Sequence, residues 1–435
     1  MSANTHFDLI VIGAGAMGLA SAYEASKSGL SVLVLEAGDV PGGMAAHFDF
    51  DGLSLERYYH FICKTDYDSF ALFKELGIFD RLQWRATKMG YYYHGQSYKW
   101  GNPLALLSFP HLTLIEKFRY ALMAFWATKR KNWDAVEPLT APQWLQNTLG
   151  KSGYDKLWAR LFELKFYEHT KDISATWIGT RIRRIGLSRR SLMQEELGYL
   201  EGGTETLVSA LVKAVEATGG MVKTSAPVTL VERQNASLHV KTPLGKFTAD
   251  HVISTVPTPL ISRMIPSLPK GVKEQYDAIP NIGVACLIFK LKKSVTENFW
   301  LNIIDDNHAV PGLIEFSNLR PVEDAHIVYV PYYMPVTNPR WAWSDAALLD
   351  EAFAAITAAN PDMTKDDILA TQVSRLKHAQ PICYPNFKDM LPPVQTEIEG
   401  LQIADTCYYY PEDRGISESI GFGRMMAKSV INKKS

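Results

Sequence analysis

Between residues 7 and 12 the chain carries Phe7, Leu9, Ile10, Val11 and Ile12, with one polar interruption at Asp8. This is the pattern of a strand buried on both faces. A helical pattern follows, with Ala22 and Ala25 on it, and stops at Gly29; residues 30–35 then form a second β-rich apolar run that ends in Glu36. Apolar runs at 249–257, 283–291, 327–332 and 400–404 predict further strands. The segment ending at Gly219 predicts a helix, and so does the stretch from about Ile416 through Gly421, Gly423, Arg424 and Ala427. Residues 76–196 read as mostly helical and rich in aromatic side chains, and Pro331, Pro335, Pro339, Pro385, Pro392 and Pro393 mark connectors. The longest unbroken apolar run, 121–127, is far short of the ~20 residues needed to span a bilayer.

What joins the first strand to the first helix turns this outline into chemistry. Gly13, Gly15 and Gly18 stand at G-x-G-x-x-G spacing, with Ala16 and Met17 inside the turn. The first glycine permits the tight turn, the second lets backbone approach a pyrophosphate, and the third allows close helix–strand packing. The free N–H groups and positive dipole end of the helix favour the same anion. Glu36, at the tip of the second strand, suits the hydroxyls of a ribose and would repel a 2′-phosphate. Strand, turn, helix and acid in this order are the context that makes the motif specific for a dinucleotide.

Beyond Glu36 and Ala37 come Pro41-Gly42-Gly43-Met44, Asp51-Gly52 and Glu56-Arg57-Tyr58-Tyr59-His60. Here the sequence resembles the flavoprotein family of amine oxidases, phytoene desaturases and protoporphyrinogen oxidases. The resemblance implies FAD, with a second glycine turn at Gly42-Gly43 and Met44 reaching its phosphates. It extends to Tyr199-Leu200-Glu201-Gly202-Gly203-Thr204 and to Val228, the match to the adenine contact. It also covers Asp405, matched to a phosphate or ribityl contact, and Arg414, Gly415 and Ile416, matched to the flavin-facing turn before the last helix. A helix N-terminus there would stabilise the charge that a reduced flavin gains. The implied fold is α/β: a discontinuous Rossmann-like FAD domain (1–75, 197–262 and 395–435) with an inserted α+β substrate domain (76–196 and 263–394), as in amine oxidases. Active sites of this build lie where the two parts meet.

Composition narrows the class without adding a site. The chain has 435 residues, 47% hydrophobic and 21% charged, with a formal net charge of −1, so it presents no global field for nucleic acid. Cys63, Cys286, Cys383 and Cys407 lie far apart with no CxxC pair, which argues against a structural metal site and a disulfide framework, and for a reducing compartment. Residues 1–6 leave no room for a secretory leader before the first strand. The expectation is a cytoplasmic protein, soluble or at most peripheral at a membrane.

Substrate handling is less defined. Trp84, Tyr91, Tyr92, Tyr93, Tyr98 and Trp100 form either a pocket wall or, as aromatic enrichment in strands favours, a sheet face with cross-strand pairs. Arg181, Arg183, Arg184, Arg189 and Arg190 either grip an anionic group or are paired internally, with Glu195 and Glu196 close in sequence. Tyr409 is a further substrate candidate. Ile115, Phe118, Leu122 and Phe125 recur at helical spacing before Lys129, Arg130 and Lys131. A helix of this kind rests on an anionic membrane or, more often, faces a core. Lys165, His169 and Tyr408 to Tyr410 tempt as flavin neighbours, but spacing places none of them, and no catalytic residue is assigned. Where typical amine oxidases carry an aromatic in the closing turn, this chain has Ile416; Cys383 reads as structural.

The reading is an FAD-dependent dehydrogenase or oxidase that takes hydride from a small biosynthetic intermediate, anionic or lipid-linked, onto flavin N5. The alternatives are a redox-neutral flavoenzyme, such as a sugar mutase, and a non-catalytic binding protein on the same fold.

Overall fold

The computed structural model describes residues 5–434. The leader expectation rests in part on residues 1–4, which lie outside the described residues. The strand His6–Ile12 forms as the apolar run predicts and sits inside a seven-stranded sheet. Val32–Leu35, all four residues buried, pairs parallel on one side, with Met221–Lys223 parallel beyond it. Gly245–Ser254 pairs parallel on the other side. The first part of Gly245–Ser254 turns back antiparallel through Ser237–Thr242 and Leu230–Gln234, while its last residues run parallel to Leu401–Ile403. Three separated blocks of sequence thus share one sheet, since only there can each bury its apolar run on both faces.

Three helices cover the sheet: Ala16–Lys27, Thr204–Ala217 and the closing helix Ile416–Lys434. The first and last are held at close range by small residues. Ser21 Oγ donates 2.9 Å to the Gly423 carbonyl, and a Cβ at Gly423 would collide with the Met17 carbonyl. Arg424 spans the pair, donating to Glu24 at 3.0 Å and to Glu75 at 2.6 Å.

A second seven-stranded sheet, mainly antiparallel, runs in the order Ile368–Pro381, Asn281–Leu291, His326–Met334, Gly312–Glu315, Trp300–Ile303, Met89–Tyr93, Gln96–Trp100. The helices between residues 103 and 187 stack beside it. Their starts are legible: Asn102, Thr113, Thr140 and Ser174 each accept a backbone N–H of the first turn, and Thr113 with Glu116 and Thr140 with Gln143 complete capping boxes. Gln194–Leu200 pairs with Leu82–Thr87, so this strand straddles the boundary expected at 197.

One expectation is corrected. The helix Leu114–Lys129 does not turn its apolar stripe to a core. Its buried positions are Glu116, Lys117, Met123 and Ala127, while Leu114, Ile115, Phe118, Leu122, Phe125 and Trp126 are exposed. The two charged positions are buried because each has a fixed partner: Glu116 accepts from Lys156 at 3.1 Å and from the Thr113 N–H at 2.7 Å, and Lys117 donates 2.6 Å to the Leu107 carbonyl.

Candidate cofactor and substrate cavity

A cavity of about 1810 Å³ runs from the glycine turns of the first sheet to the helix Leu114–Lys129. At its first end two glycine loops pack backbone to backbone. The Gly42 N–H donates 2.8 Å to the Ala14 carbonyl, and a Cβ on Gly42 would lie 2.8 Å from Ala46 Cα, at a φ of 119° that L side chains rarely adopt. Gly18 does not line the cavity; a Cβ there would strike the Gly13 carbonyl, so its part is close packing of helix on turn. Gly15 is different. A Cβ there would meet only the Gly42 carbonyl, at 4.0 Å, and no side chain caps the helix start behind it. The missing side chain leaves open space in front of a helix N-terminus, which is the shape and polarity a diphosphate requires. The residues present therefore fit an adenine dinucleotide.

Gly13, Gly15, Ala16, Met17, Glu36, Ala37, Gly42, Gly43, Met44, Val228, Asp405, Arg414, Gly415 and Ile416 all line this one cavity. Two of them also brace the protein. Glu36 accepts the Ala14 N–H at 2.7 Å and the Gly38 N–H at 2.8 Å, tying the first turn to the second strand. Asp405 accepts from Thr258 N at 2.6 Å and Cys407 N at 2.9 Å, which fixes the segment before the closing helix. Both carboxylates keep lone pairs beyond these bonds.

Arg181, Arg183 and Arg184 lie on the helix Ala175–Leu187, and their charges are met from elsewhere in the chain. Arg181 pairs with Asp413 at 2.8 Å, Arg184 with Asp66 at 2.9 Å, and Arg183 with Glu412 at 3.9 Å. Arg181, Arg184 and Tyr409 line the cavity; Arg183 does not. Glu196 pairs with Lys64 instead. Tyr409 donates 2.8 Å to Ser419 Oγ on the closing helix. The internal pairing holds for these three arginines, while Arg189, on the strand Arg189–Ser191, lines the cavity and donates to the Gly101, Ser191 and Leu192 carbonyls. Arg414 stands over the Tyr333 ring and donates 3.1 Å to its hydroxyl.

Trp300 was not singled out from the sequence, and Lys165, His169 and Glu195 were named there without a place. Trp300 meets Tyr59 edge-on at 5.5 Å, and Lys165 Nζ lies 5.3 Å from the Trp300 ring and 5.8 Å from the Tyr333 ring. Burial, then the neighbouring Arg181 charge, lower the Lys165 pKa to about 7. His169 turns away and bonds Tyr384 at 2.8 Å. Glu195 lines the wall beside Trp100 and Gly101, with no partner for Oε1 among the described residues, and burial raises its pKa to about 7 although Arg189 opposes this. The aromatic cluster serves both readings: Tyr91 and Trp100 are neighbours on paired strands, 4.8 Å apart and edge-on, and both line the cavity. Glu56, by contrast, is buried structure, accepting the Thr204 N–H at 2.8 Å and pairing with Arg320. The four cysteines are buried and free.

A glycine-turned parallel sheet whose groove leads under a second, antiparallel domain defines the two-domain flavoprotein class. The sequence profile described as flavin containing amine oxidoreductase matches residues 18–382, and the chain belongs to this family of FAD-dependent enzymes. A 15-cis-phytoene desaturase of Synechococcus elongatus is 26% identical over 315 residues, covering 66% of each chain. A Mycobacterium tuberculosis protein, provisionally named a flavin-containing monoamine oxidase, is 26% identical over 260 residues, covering 58% of this chain and 57% of its own. The chain thus spans less than two thirds of the length of these curated relatives. The crystal structure of an Exiguobacterium protein, provisionally named protoporphyrinogen oxidase, aligns over the whole of both chains with a TM-score of 0.77 at 17% identity, a likeness of fold. No helix among the described residues is long and apolar enough to cross a membrane.

Proposed function

We propose that the protein is an FAD-dependent oxidoreductase whose substrate is a small molecule with an apolar body, oxidised where the closing turn meets the second sheet. The observation that carries this is continuity: one cavity joins the glycine turns, the turn Arg414 to Ile416, and a chamber walled by Leu106, Tyr120, Trp158, Leu161, Phe162 and Ile182. Bound, FAD supplies a two-electron acceptor for a hydride equivalent. The chain's own groups do the rest. The apolar wall excludes water and favours an apolar substrate body. Arg181 and Arg184 are paired within the chain and the chamber wall is mainly apolar, so the support is for a substrate with a lipid-like body. Lys165, near neutral and held against Trp300 and Tyr333, is the group able to accept a proton from the substrate as it is oxidised. Glu195 is another titratable wall group and suits a hydrogen-bond donor on the substrate. Neither a redox-neutral mutase nor a non-catalytic binder gains an observation of its own.

The test is anaerobic mixing of the purified protein with apolar amines, alcohols and polyenes while the flavin band near ~450 nm is followed. Bleaching by one class, restored on admitting oxygen or another acceptor, is the expected result. Protein that never carries flavin, with its glycine turns intact, would overturn the proposal.

A further inference from the structure

The mouth of the cavity is framed by exposed apolar side chains. Leu107 of Pro103–Ser108, Leu114, Phe118 and Phe125 of Leu114–Lys129, and Leu192 in the turn before Gln194–Leu200 are all exposed and all line the cavity. Outside this ring, on the same helix, Ile115, Leu122 and Trp126 are 72%, 44% and 58% exposed. Soluble surfaces scatter such residues singly; a contiguous patch drawn from three chain segments marks a contact surface. Basic side chains flank it. Lys129 ends the helix, Arg130 and Lys131 follow it, Arg190 precedes Leu192 by two residues, and none of the four makes an ion pair among the described residues. The helix's one acid, Glu116, is buried and paired with Lys156.

We infer that this face docks on a lipid bilayer containing anionic headgroups, with the helix Leu114–Lys129 lying in the interface and the cavity opening directly into the acyl layer. Two features select this occupant. Basic side chains flanking an apolar helix face complement anionic headgroups, and each such charge strengthens binding at the surface. The apolar ring also surrounds an opening, so burying it in lipid gives an apolar substrate a path that never crosses water. The inference deepens the function proposed above by naming where the substrate comes from.

The experiment is flotation of the full-length, FAD-loaded protein with vesicles of phosphatidylcholine alone and of equal parts phosphatidylcholine and phosphatidylglycerol. Co-flotation with the mixed vesicles is expected, about tenfold weaker with phosphatidylcholine alone. The triple variant Ile115→Ser, Leu122→Ser, Trp126→Ser should lose binding to both. These three side chains do not line the cavity, so flavin content should be unchanged, which shows that the variant folds. Wild-type protein that ignores the mixed vesicles overturns the inference, as does a triple variant that still binds them. A stable dimer in solution that the same triple variant dissociates overturns it too, since a second copy would then cover the face. Flavin-loaded protein that fails to bind vesicles removes only this inference; flavin-free protein that binds them removes only the reading above.

Discussion

At the scale of single residues, glycines of one motif do different work, and the difference is measurable. Gly15 faces open cavity, so Gly15→Ala should leave stability within about 0.5 kcal/mol yet weaken FAD binding, because the added methyl projects where the diphosphate must approach. Gly18 faces the Gly13 carbonyl, so Gly18→Ala should cost about 1–3 kcal/mol in urea unfolding of the apoprotein as well. Equal losses of stability in the two variants would refute this division. Lys165 gives a second prediction. Its folded pKa lies below its unfolded value of 10.5, so at this site the unfolded chain binds more protons between about pH 7 and pH 10.5, and the contribution of Lys165 to stability rises across that window. Lys165→Met should remove the rise and lie closest to, or above, wild type near pH 6. If Lys165 takes the substrate proton, the low-pH limb of kcat/KM near pH 7 should vanish in the same variant. The motif glycines were legible in the sequence because their spacing falls between a strand and a helix, with an acid after the second strand. Lys165 was named as a flavin neighbour but not placed, since its surroundings depend on Trp300 and Tyr333, far along the chain.

At the scale of elements, the first and last helices act as one clamp. Gly423→Ala should push them apart against the Met17 carbonyl and cost about 1–3 kcal/mol, read as a lowered midpoint in thermal or urea unfolding together with faster flavin release. A variant as stable as wild type would show that this close approach is dispensable. The helix Ala175–Leu187 supplies the other case. Asp66 is buried, and its carboxylate holds Arg184 through contacts at 2.9 to 3.3 Å. Asp66→Asn leaves a buried guanidinium without its main counter-charge and should destabilise by about 3–5 kcal/mol. Stability within ~1 kcal/mol of wild type would mean that Glu418 and solvent compensate. The sequence placed five arginines within ten residues and offered neighbouring glutamates as partners; for Arg181, Arg183 and Arg184 the fold chose Asp413, Glu412 and Asp66 instead. Local order cannot report such choices, because a helix sends successive side chains in different directions.

At the scale of the molecule, a cavity that begins at phosphate-binding turns and ends at an apolar rim makes the protein a conduit between a cofactor and an apolar surface. The order of its parts along the chain determined much of this by short-range spacing: the two glycine turns, the acid after the second strand, the closing turn and the strands of the first sheet. Each is a pattern of adjacent residues that physical chemistry ties to one local conformation. Tertiary structure alone decided which face of Leu114–Lys129 stays open, which carboxylate meets which arginine, and which titratable groups enter the cavity. Hydrophobic periodicity shows that a helix has an apolar face, but whether another element covers that face is settled by contacts between segments remote in sequence.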